Sequence, residues 1–294
     1  MAESSAAQTA PNDRDGAFAH CAALLREHDP DRYWASLFAP AEKRPYLHAI
    51  YAFSHEIARV RETVSAPLPG EIRFQWWRDV LDGNNAHGDA ASHPVAHALM
   101  MTIGRFGLPI QPFHDLIDAR VFDLYDDPMP STSDLEGYSG ETSSSLFRLV
   151  TLVLAGGREP GGADAAGHGG IAYALTGLLR AFPWHVRRGQ VYMPRDVLER
   201  HGLNRDSLLA GENKQAVRGV IMEMRGMADT HLRRALGELP GLHPDIKPAF
   251  LPLAVVPAYL KLMQGRDYDP MSSLVSLPHW RRLWLLWRTA RSFR

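Results

Sequence analysis

The sequence predicts an all-α fold, and three observations lead to that class. Apolar residues recur at steps of three and four along most of the chain, no segment shows the alternation of a β-strand, and nothing repeats at a fixed period. Of the 294 residues, 45% are hydrophobic and 22% are charged, a composition typical of ordered globular proteins. We therefore predict one helical domain over residues 16–294, preceded by a polar tail at residues 1–15 that we expect to be disordered.

Helical segments can be placed in order along this domain. The second begins near residue 41, where Pro45 is tolerated because it falls in the opening turn. The glycine-rich residues 156–170 predict a loop, and because they contain no GxGxxG or GKS/GKT motif, nucleotide binding has no support. The first helix has an apolar face made of Phe18, Cys21, Ala22 and Leu25. Later helices are predicted at residues 73–81, 94–105, 112–124, 144–155, 171–182, 215–236, 247–263 and 278–294.

Charge and cysteine content exclude several classes of function. Lys and Arg (32) nearly balance Asp and Glu (33), which argues against a strongly basic nucleic-acid-binding protein. The single cysteine, Cys21, excludes an intramolecular disulfide and a cysteine-based zinc cluster. The most apolar stretch, residues 249–263, contains Pro252, Pro257 and Lys261, so no membrane-spanning helix is predicted. Because the N-terminus shows no secretory pattern, we expect a cytoplasmic protein.

Three segments carry recognisable motifs. Residues 51–62 open with Tyr-Ala-Phe, residues 74–78 read Phe-Gln-Trp-Trp-Arg, and residues 188–194 read Arg-Gly-Gln-Val-Tyr-Met-Pro. With these motifs the chain resembles the squalene/phytoene synthase family, the head-to-head prenyltransferases, over residues 17–294. The resemblance implies an isoprenoid-synthase-type helical bundle with a central cavity lined by apolar side chains.

Active members of that family carry an Asp-x-x-x-Asp pair on each of two helices. Residues four apart share a helix face, so each pair points into the same cavity. The two pairs hold Mg²⁺ ions, which bridge the substrate diphosphate and offset the charge that builds as it leaves. The matching positions are Ala58 and Glu62 on the first helix, and Ala181 and His185 on the second. Three of the four carboxylates are therefore replaced.

The replacements argue against a metal site. Alanine offers no ligand, and a neutral imidazole suits softer metals than Mg²⁺. Arg59 and Arg61 place positive charge beside Glu62, the one remaining carboxylate. Pro183 predicts that the second helix kinks or ends just before it, so that His185 need not face the cavity. His185 also lacks a second histidine or cysteine at ligand spacing, and we predict no metal and no cofactor.

A branch of the family fits these departures better than the synthases do. The run Arg-Ala-Phe-Pro-Trp-His at residues 180–185 and the segment 142–145 resemble proteins related to the mitochondrial assembly factor for respiratory complex I. Such relatives keep the fold, lack the aspartate motifs and act in biogenesis of the NADH:ubiquinone oxidoreductase. The resemblance implies a non-catalytic protein whose partner is a nascent complex I subunit or an isoprenoid-like lipid.

The alternative is an active head-to-head transferase that makes phytoene or squalene. It would require Mg²⁺ and a metal site rebuilt from Glu62, Glu56, Asp196 or an acidic cluster between residues 115 and 127. The cluster's spacing places no clean pair on one helix face, and Arg120 interrupts it, so we predict a solvated surface there. Its members are Asp115, Asp118, Asp123, Asp126 and Asp127.

Several residues remain candidates for a pocket or an anion site. Tyr51, Arg180 and Tyr192 match positions that line the prenyl and diphosphate pocket of synthases, although Tyr51 equally suits a core aromatic. Three arginines could hold a phosphate or an anionic lipid headgroup without metal, or lie at an exposed helix end. They are Arg180, Arg187 and Arg188. Arg59 and Arg61 complete the set of candidates.

The C-terminal residues 280–294 allow two interpretations. Trp280, Leu283, Trp284 and Trp287 share one helix face, with arginines nearby, as in an interfacial helix. The same stripe could instead close the helical bundle, which is the interpretation that we prefer. Contact with the inner membrane suits either function, since both prenyl substrates and complex I occur at membranes.

Overall fold

The computed structural model describes residues 11–84 and 92–293, and in these residues it contains helices and no β-strand. This confirms the predicted fold class. None of the described helices combines the length and the apolar character that crossing a membrane requires. The helices are α1 (Pro11–His28), α2 (Pro30–Ser36), α3 (Arg44–Thr63), α4 (Pro67–Leu81), α5 (Pro94–Phe106), α6 (Gln111–Val121), α7 (Thr132–Ser139), α8 (Ser145–Leu154), α9 (Ala163–Arg180), α10 (Phe182–Arg187), α11 (Arg195–Arg200), α12 (Arg205–Ala210), α13 (Lys214–Glu238), α14 (Val256–Leu262) and α15 (His279–Ser292).

Two groups of helices meet where α3 packs against α8. Helices α1, α3 and α5 pack against one another, while α9 lies along α13 and contacts α8 on another side. Helix α3 connects the two groups through its contact with α8. Its buried stripe includes Leu47, Ile50 and Ile57, which follow the helical spacing seen in the sequence. The C-terminal ends of α3 and α9 border a common cavity.

The glycine-rich segment departs from its predicted loop. Residues 156–162 are irregular, but α9 begins at Ala163, so the prediction is wrong for residues 163–170. A Cβ atom at Gly170 would overlap the backbone of Ser144, which explains why glycine occupies this position in the helix. Ser144 ends a π-helical turn at Gly140–Ser144 that connects α7 to α8. Glycine is thus required for contact between two helical segments, although it lowers the helical signal in the sequence.

Other boundaries also differ from the predictions. The first helix begins at Pro11, inside the predicted tail, and residues 1–10 lie outside the described residues, where the tail stays a prediction. The segment predicted as a helix at 247–263 is a 3₁₀-helix at Pro244–Val255 followed by α14. Pro248 and Pro252 explain this, because each lacks the N–H group that an α-helical hydrogen bond needs.

Two glycines on α9 give a matched test of this packing. We expect Gly170→Ala to destabilise the protein by about 1–3 kcal/mol or more, because the methyl group would meet the Ser144 backbone. A Cβ atom at Gly167 would lie in open space, so Gly167→Ala should stabilise the protein by about 0.5–1 kcal/mol through helix propensity. Urea unfolding of both variants measures this, and equal effects on the free energy of unfolding would contradict the close approach.

Candidate functional site

A cavity of about 460 Å³ lies between the C-terminal end of α3, the end of α9 and α10. All four positions that match the family's metal aspartates line it. Three of the seven candidate arginines and tyrosines also line it, namely Arg61, Arg188 and Tyr192. The chain thus brings the two motif helices together at one place, which we call the central pocket. Its lining residues are Ala58, Arg61, Glu62, Arg120, Asp123, Leu178, Ala181, Trp184, His185, Arg188, Gln190 and Tyr192.

The break between α9 and α10 determines how His185 enters the pocket. Helix α9 ends at Arg180, as Pro183 predicts, and the proline is accommodated in the first turn of α10. The new helix still directs the imidazole of His185 into the pocket, where its ring centroid lies 4.6 Å from that of Tyr192. Burial lowers the pKa of His185 to about 4, so the imidazole is neutral at neutral pH.

Asp123 is the most enclosed carboxylate of the pocket, with 5% of its surface exposed. The hydroxyl groups of Tyr138 and Tyr192 each donate to Asp123 Oδ1 at 2.9 Å, and Arg120 Nη1 donates to Oδ2 at 2.9 Å. The predicted solvated surface is therefore wrong for Asp123, although Asp126 and two other members of the acidic cluster are exposed. No pattern in the sequence predicts this burial, because the two tyrosines lie 15 and 69 residues from Asp123.

The groups around Asp123 hold one another in fixed charge states. Burial raises the pKa of Tyr192 well above its usual value, and the neighbouring Asp123 raises it further. Burial raises the pKa of Tyr138 in the same way. Burial alone would lower the pKa of Arg120, but Tyr138 and Asp123 raise it above its usual value. Two neutral tyrosines, a guanidinium and a carboxylate therefore form one hydrogen-bonded unit.

The remaining charges of the pocket are also paired. Arg188 Nη1 lies 3.4 Å from Glu62 Oε1, and its guanidinium lies 4.7 Å from the centre of the Trp184 ring. Arg61 Nη2 lies 3.3 Å from Asp126 Oδ1, outside the pocket lining. The lining carries three arginines against two carboxylates. Arg61 Nε and His185 Nδ1 are buried and have no hydrogen-bond partner.

Tyr51 and Arg180 lie in a different cluster. Arg180 Nη1 lies 3.7 Å from Asp31 Oδ2, and its guanidinium lies 3.8 Å from the centre of the Tyr259 ring. The guanidinium of Arg32 lies 5.1 Å from the ring centre of Tyr51, which is buried. Neither Tyr51 nor Arg180 lines the central pocket. Tyr51 is buried and Arg180 is partly buried, and their contacts with tyrosines and acidic side chains point to a role in holding the helices together.

The other candidates are spread around the pocket. Arg59 lines a neighbouring groove together with Glu56, and Arg187 is exposed and absent from the lining. Asp196 accepts hydrogen bonds from the backbone and hydroxyl of Thr132 at 3.1 and 2.9 Å, which ties the start of α11 to α7. Of the carboxylates that a rebuilt metal site would require, Glu62 and Asp123 are the ones that reach the central pocket.

These side chains do not match what Mg²⁺ requires. A magnesium ion takes six oxygen ligands in near-octahedral geometry, and carboxylates usually supply the protein's share. Both oxygens of Asp123 already accept hydrogen bonds, and Glu62 lies against Arg188. Within residues 11–84 and 92–293 no group of three or more His, Cys, Asp or Glu side chains is placed to hold a metal. Arginine donors with spare N–H groups suit an anion instead.

Residues that the sequence did not single out complete the site. They include Arg120, Tyr138 and Gln190, whose Nε2 donates to the backbone oxygen of Asp123 at 3.4 Å. A signal for part of this unit exists in the sequence: Arg120 and Asp123 are three residues apart, a spacing at which opposite charges pair on a helix.

Comparisons with known proteins agree with the sequence motifs. Residues 25–288 match the squalene/phytoene synthase family. The chain belongs to this family. The NADH dehydrogenase (ubiquinone) complex I, assembly factor 6, of Bos taurus is 33% identical over 251 residues, which cover 85% of this chain and 74% of that protein. A phytoene synthase of Arthrospira platensis is 25% identical over 293 residues, which cover 94% of this chain and 93% of the enzyme.

A solved structure confirms the architecture. The crystal structure of a dehydrosqualene synthase superposes with a TM-score of 0.77 and covers 96% of this chain and 98% of the synthase. The two sequences are 19% identical, so this similarity shows the fold alone. The predicted isoprenoid-synthase-type bundle is thereby confirmed.

Two aspartates near the pocket allow a matched test of the buried unit. Asp123→Asn should destabilise the protein by about 3–5 kcal/mol, because it leaves the guanidinium of Arg120 buried without its partner. Asp126→Asn removes an exposed ion pair with Arg61 and should change the free energy of unfolding by less than about 1 kcal/mol. Denaturant unfolding at neutral pH distinguishes the two, and a small effect of Asp123→Asn would contradict a structural role for that carboxylate.

Proposed function

We propose that this family member does not catalyse prenyl transfer and instead acts by binding, in the assembly of respiratory complex I. The observation that carries the proposal is the central pocket, where Ala58, Ala181 and His185 stand at positions of family carboxylates and Glu62 is paired with Arg188. Loss of the metal ligands with retention of the fold is what a change from catalysis to binding would leave behind.

The chemistry of the family explains why these replacements would abolish turnover. As a diphosphate leaves an allylic carbon, negative charge builds on it, and divalent cations normally offset that charge. The central pocket offers arginines in their place, but Asp123, Glu62 and Asp126 already neutralise most of their charge. A diphosphate could be held by such groups without being activated to leave.

The relatives support the assembly role. The assembly factor 6 proteins match this chain at 32–34% identity in several mammals, against 25% for the phytoene synthase of Arthrospira platensis. By this similarity the partner would be a nascent complex I subunit, and the pocket would hold an isoprenoid-like lipid with an anionic head. We place the protein in the cytoplasm, at the inner membrane where complex I is built.

The absence of transferase activity is directly testable. Purified protein incubated with Mg²⁺ and farnesyl or geranylgeranyl diphosphate should release no pyrophosphate and form no C30 or C40 hydrocarbon. An authentic synthase assayed in parallel is the control for the substrates. Product formed at a steady rate would overturn the non-catalytic proposal.

A deletion strain should lack assembled complex I while other respiratory enzymes persist, and normal complex I in that strain would overturn the assembly role.

Anion binding by the pocket can be measured without metal. In the presence of a chelator, inorganic pyrophosphate should bind the protein, and Arg188→Gln should weaken binding by about tenfold, which corresponds to about 1.4 kcal/mol for a lost charged hydrogen bond. The adjacent Arg187 is exposed and outside the lining, so Arg187→Gln is the matched control and should bind as the wild type does. Calorimetry would contradict the proposal if binding required Mg²⁺ or if both variants behaved alike.

A further inference from the structure

Helix α15 presents an apolar face to solvent. Its sequence carries Trp280, Leu283, Trp284 and Trp287 at steps of three and four, and the exposed fractions of these residues are 70%, 43%, 47% and 48%. The interpretation that this stripe closes the bundle is therefore wrong. Large apolar side chains that lie together on the surface of a protein mark a contact site. We call these four residues the tryptophan face.

The opposite side of α15 holds the helix in place. Leu286 is fully buried, and Leu285, Ala290 and Phe293 pack against the core. Arg282 Nη1 donates to Asp31 Oδ1 at 2.9 Å, and Tyr259 donates to Oδ2 of the same buried carboxylate at 2.9 Å. The helix is thus anchored independently of the tryptophan face, which is left available for a partner.

The charges on α15 indicate the chemistry of that partner. The helix contains four arginines and no acidic residue. Arg282 is paired with Asp31, but Arg281, Arg288 and Arg291 form no ion pair with the described part of the chain. Two of them lie against the indoles: the guanidinium of Arg288 is 5.2 Å from the Trp284 ring centre, and that of Arg291 is 4.9 Å from the Trp287 ring centre.

We propose that the tryptophan face docks on an anionic lipid surface. Tryptophan prefers the boundary between lipid headgroups and acyl chains, where its ring is buried and its N–H can still find an acceptor. Arginines beside the indoles lie at the depth of the lipid phosphates and can donate to them. A helix with an apolar face, adjacent cations and no acidic residue is typical of helices that lie in the membrane interface. The uncompensated positive charge selects an anionic lipid surface over an electrically neutral one.

The tryptophan face contains no residue of the central pocket, so a failure to bind lipid would leave the proposed non-catalytic role of the pocket unaffected. Docking on lipid requires that α15 lie parallel to the membrane with Leu286 still packed in the core. Membrane contact then needs no unfolding and no spanning segment.

Vesicle flotation of the full chain tests the proposal. The protein should float with vesicles of phosphatidylcholine and phosphatidylglycerol mixed at about 3:1, and at least about tenfold less with phosphatidylcholine alone. The triple variant Trp280→Ser, Trp284→Ser and Trp287→Ser should lose most of the binding to the mixed vesicles, because its apolar face no longer inserts. The pair Arg288→Gln and Arg291→Gln should bind them more weakly and with less dependence on salt.

A control variant excludes a general effect of exposed apolar residues. Leu68 and Ile72 on α4 are 65% and 62% exposed, and their double replacement by serine should leave flotation unchanged. Circular dichroism confirms that each variant remains folded. The proposal is overturned if the wild type does not float with the mixed vesicles, or if the tryptophan variant floats as well as the wild type.

Discussion

The buried carboxylate of Asp123 determines what the central pocket can do. Because its oxygens accept from Arg120, Tyr138 and Tyr192, this side chain fastens the end of α6 to α7 and to the segment that follows α10. The same bonds leave less of this carboxylate free to bind a metal ion. Asp123 therefore stabilises the fold. The pocket beside it is lined by three arginines, which are hydrogen-bond donors.

Much of the fold follows from periodicity, and its failures have physical causes. Helix α3 was predictable because its buried residues Leu47, Ile50 and Ile57 form a continuous stripe. The first turns of α9 were not predictable, since glycine contributes no apolar signal, and the contact with Ser144 that requires glycine at position 170 is visible only in the structure. The mixture of 3₁₀- and α-helix at Pro244–Leu262 likewise reflects prolines whose effect is set by packing as much as by propensity.

The site divides in the same way. The resemblance to the family identifies Ala58, Glu62, Ala181 and His185, because they stand at the positions of its two Asp-x-x-x-Asp pairs, and all four line the central pocket. The burial of Asp123 could not be found, since its hydroxyl partners lie 15 and 69 residues away in sequence. Arg180 and Tyr51 match family pocket positions, yet Arg180 lies beside Asp31 of α2 and Tyr51 lies near Asp29, which precedes that helix. The family motifs locate the cavity, whereas hydrogen bonds between residues far apart in the sequence determine its chemistry.

The ion pair between Glu62 and Arg188 has a consequence for ligand exchange. The two side chains come from α3 and from the residue after α10, and both are partly exposed at the pocket. The anion binding that we propose would place the anion in competition with Glu62 for the guanidinium of Arg188. Without an anion, the charge of Arg188 is compensated by Glu62 and that of Arg61 by Asp126. Such an internal competitor would favour reversible binding of the proposed ligand.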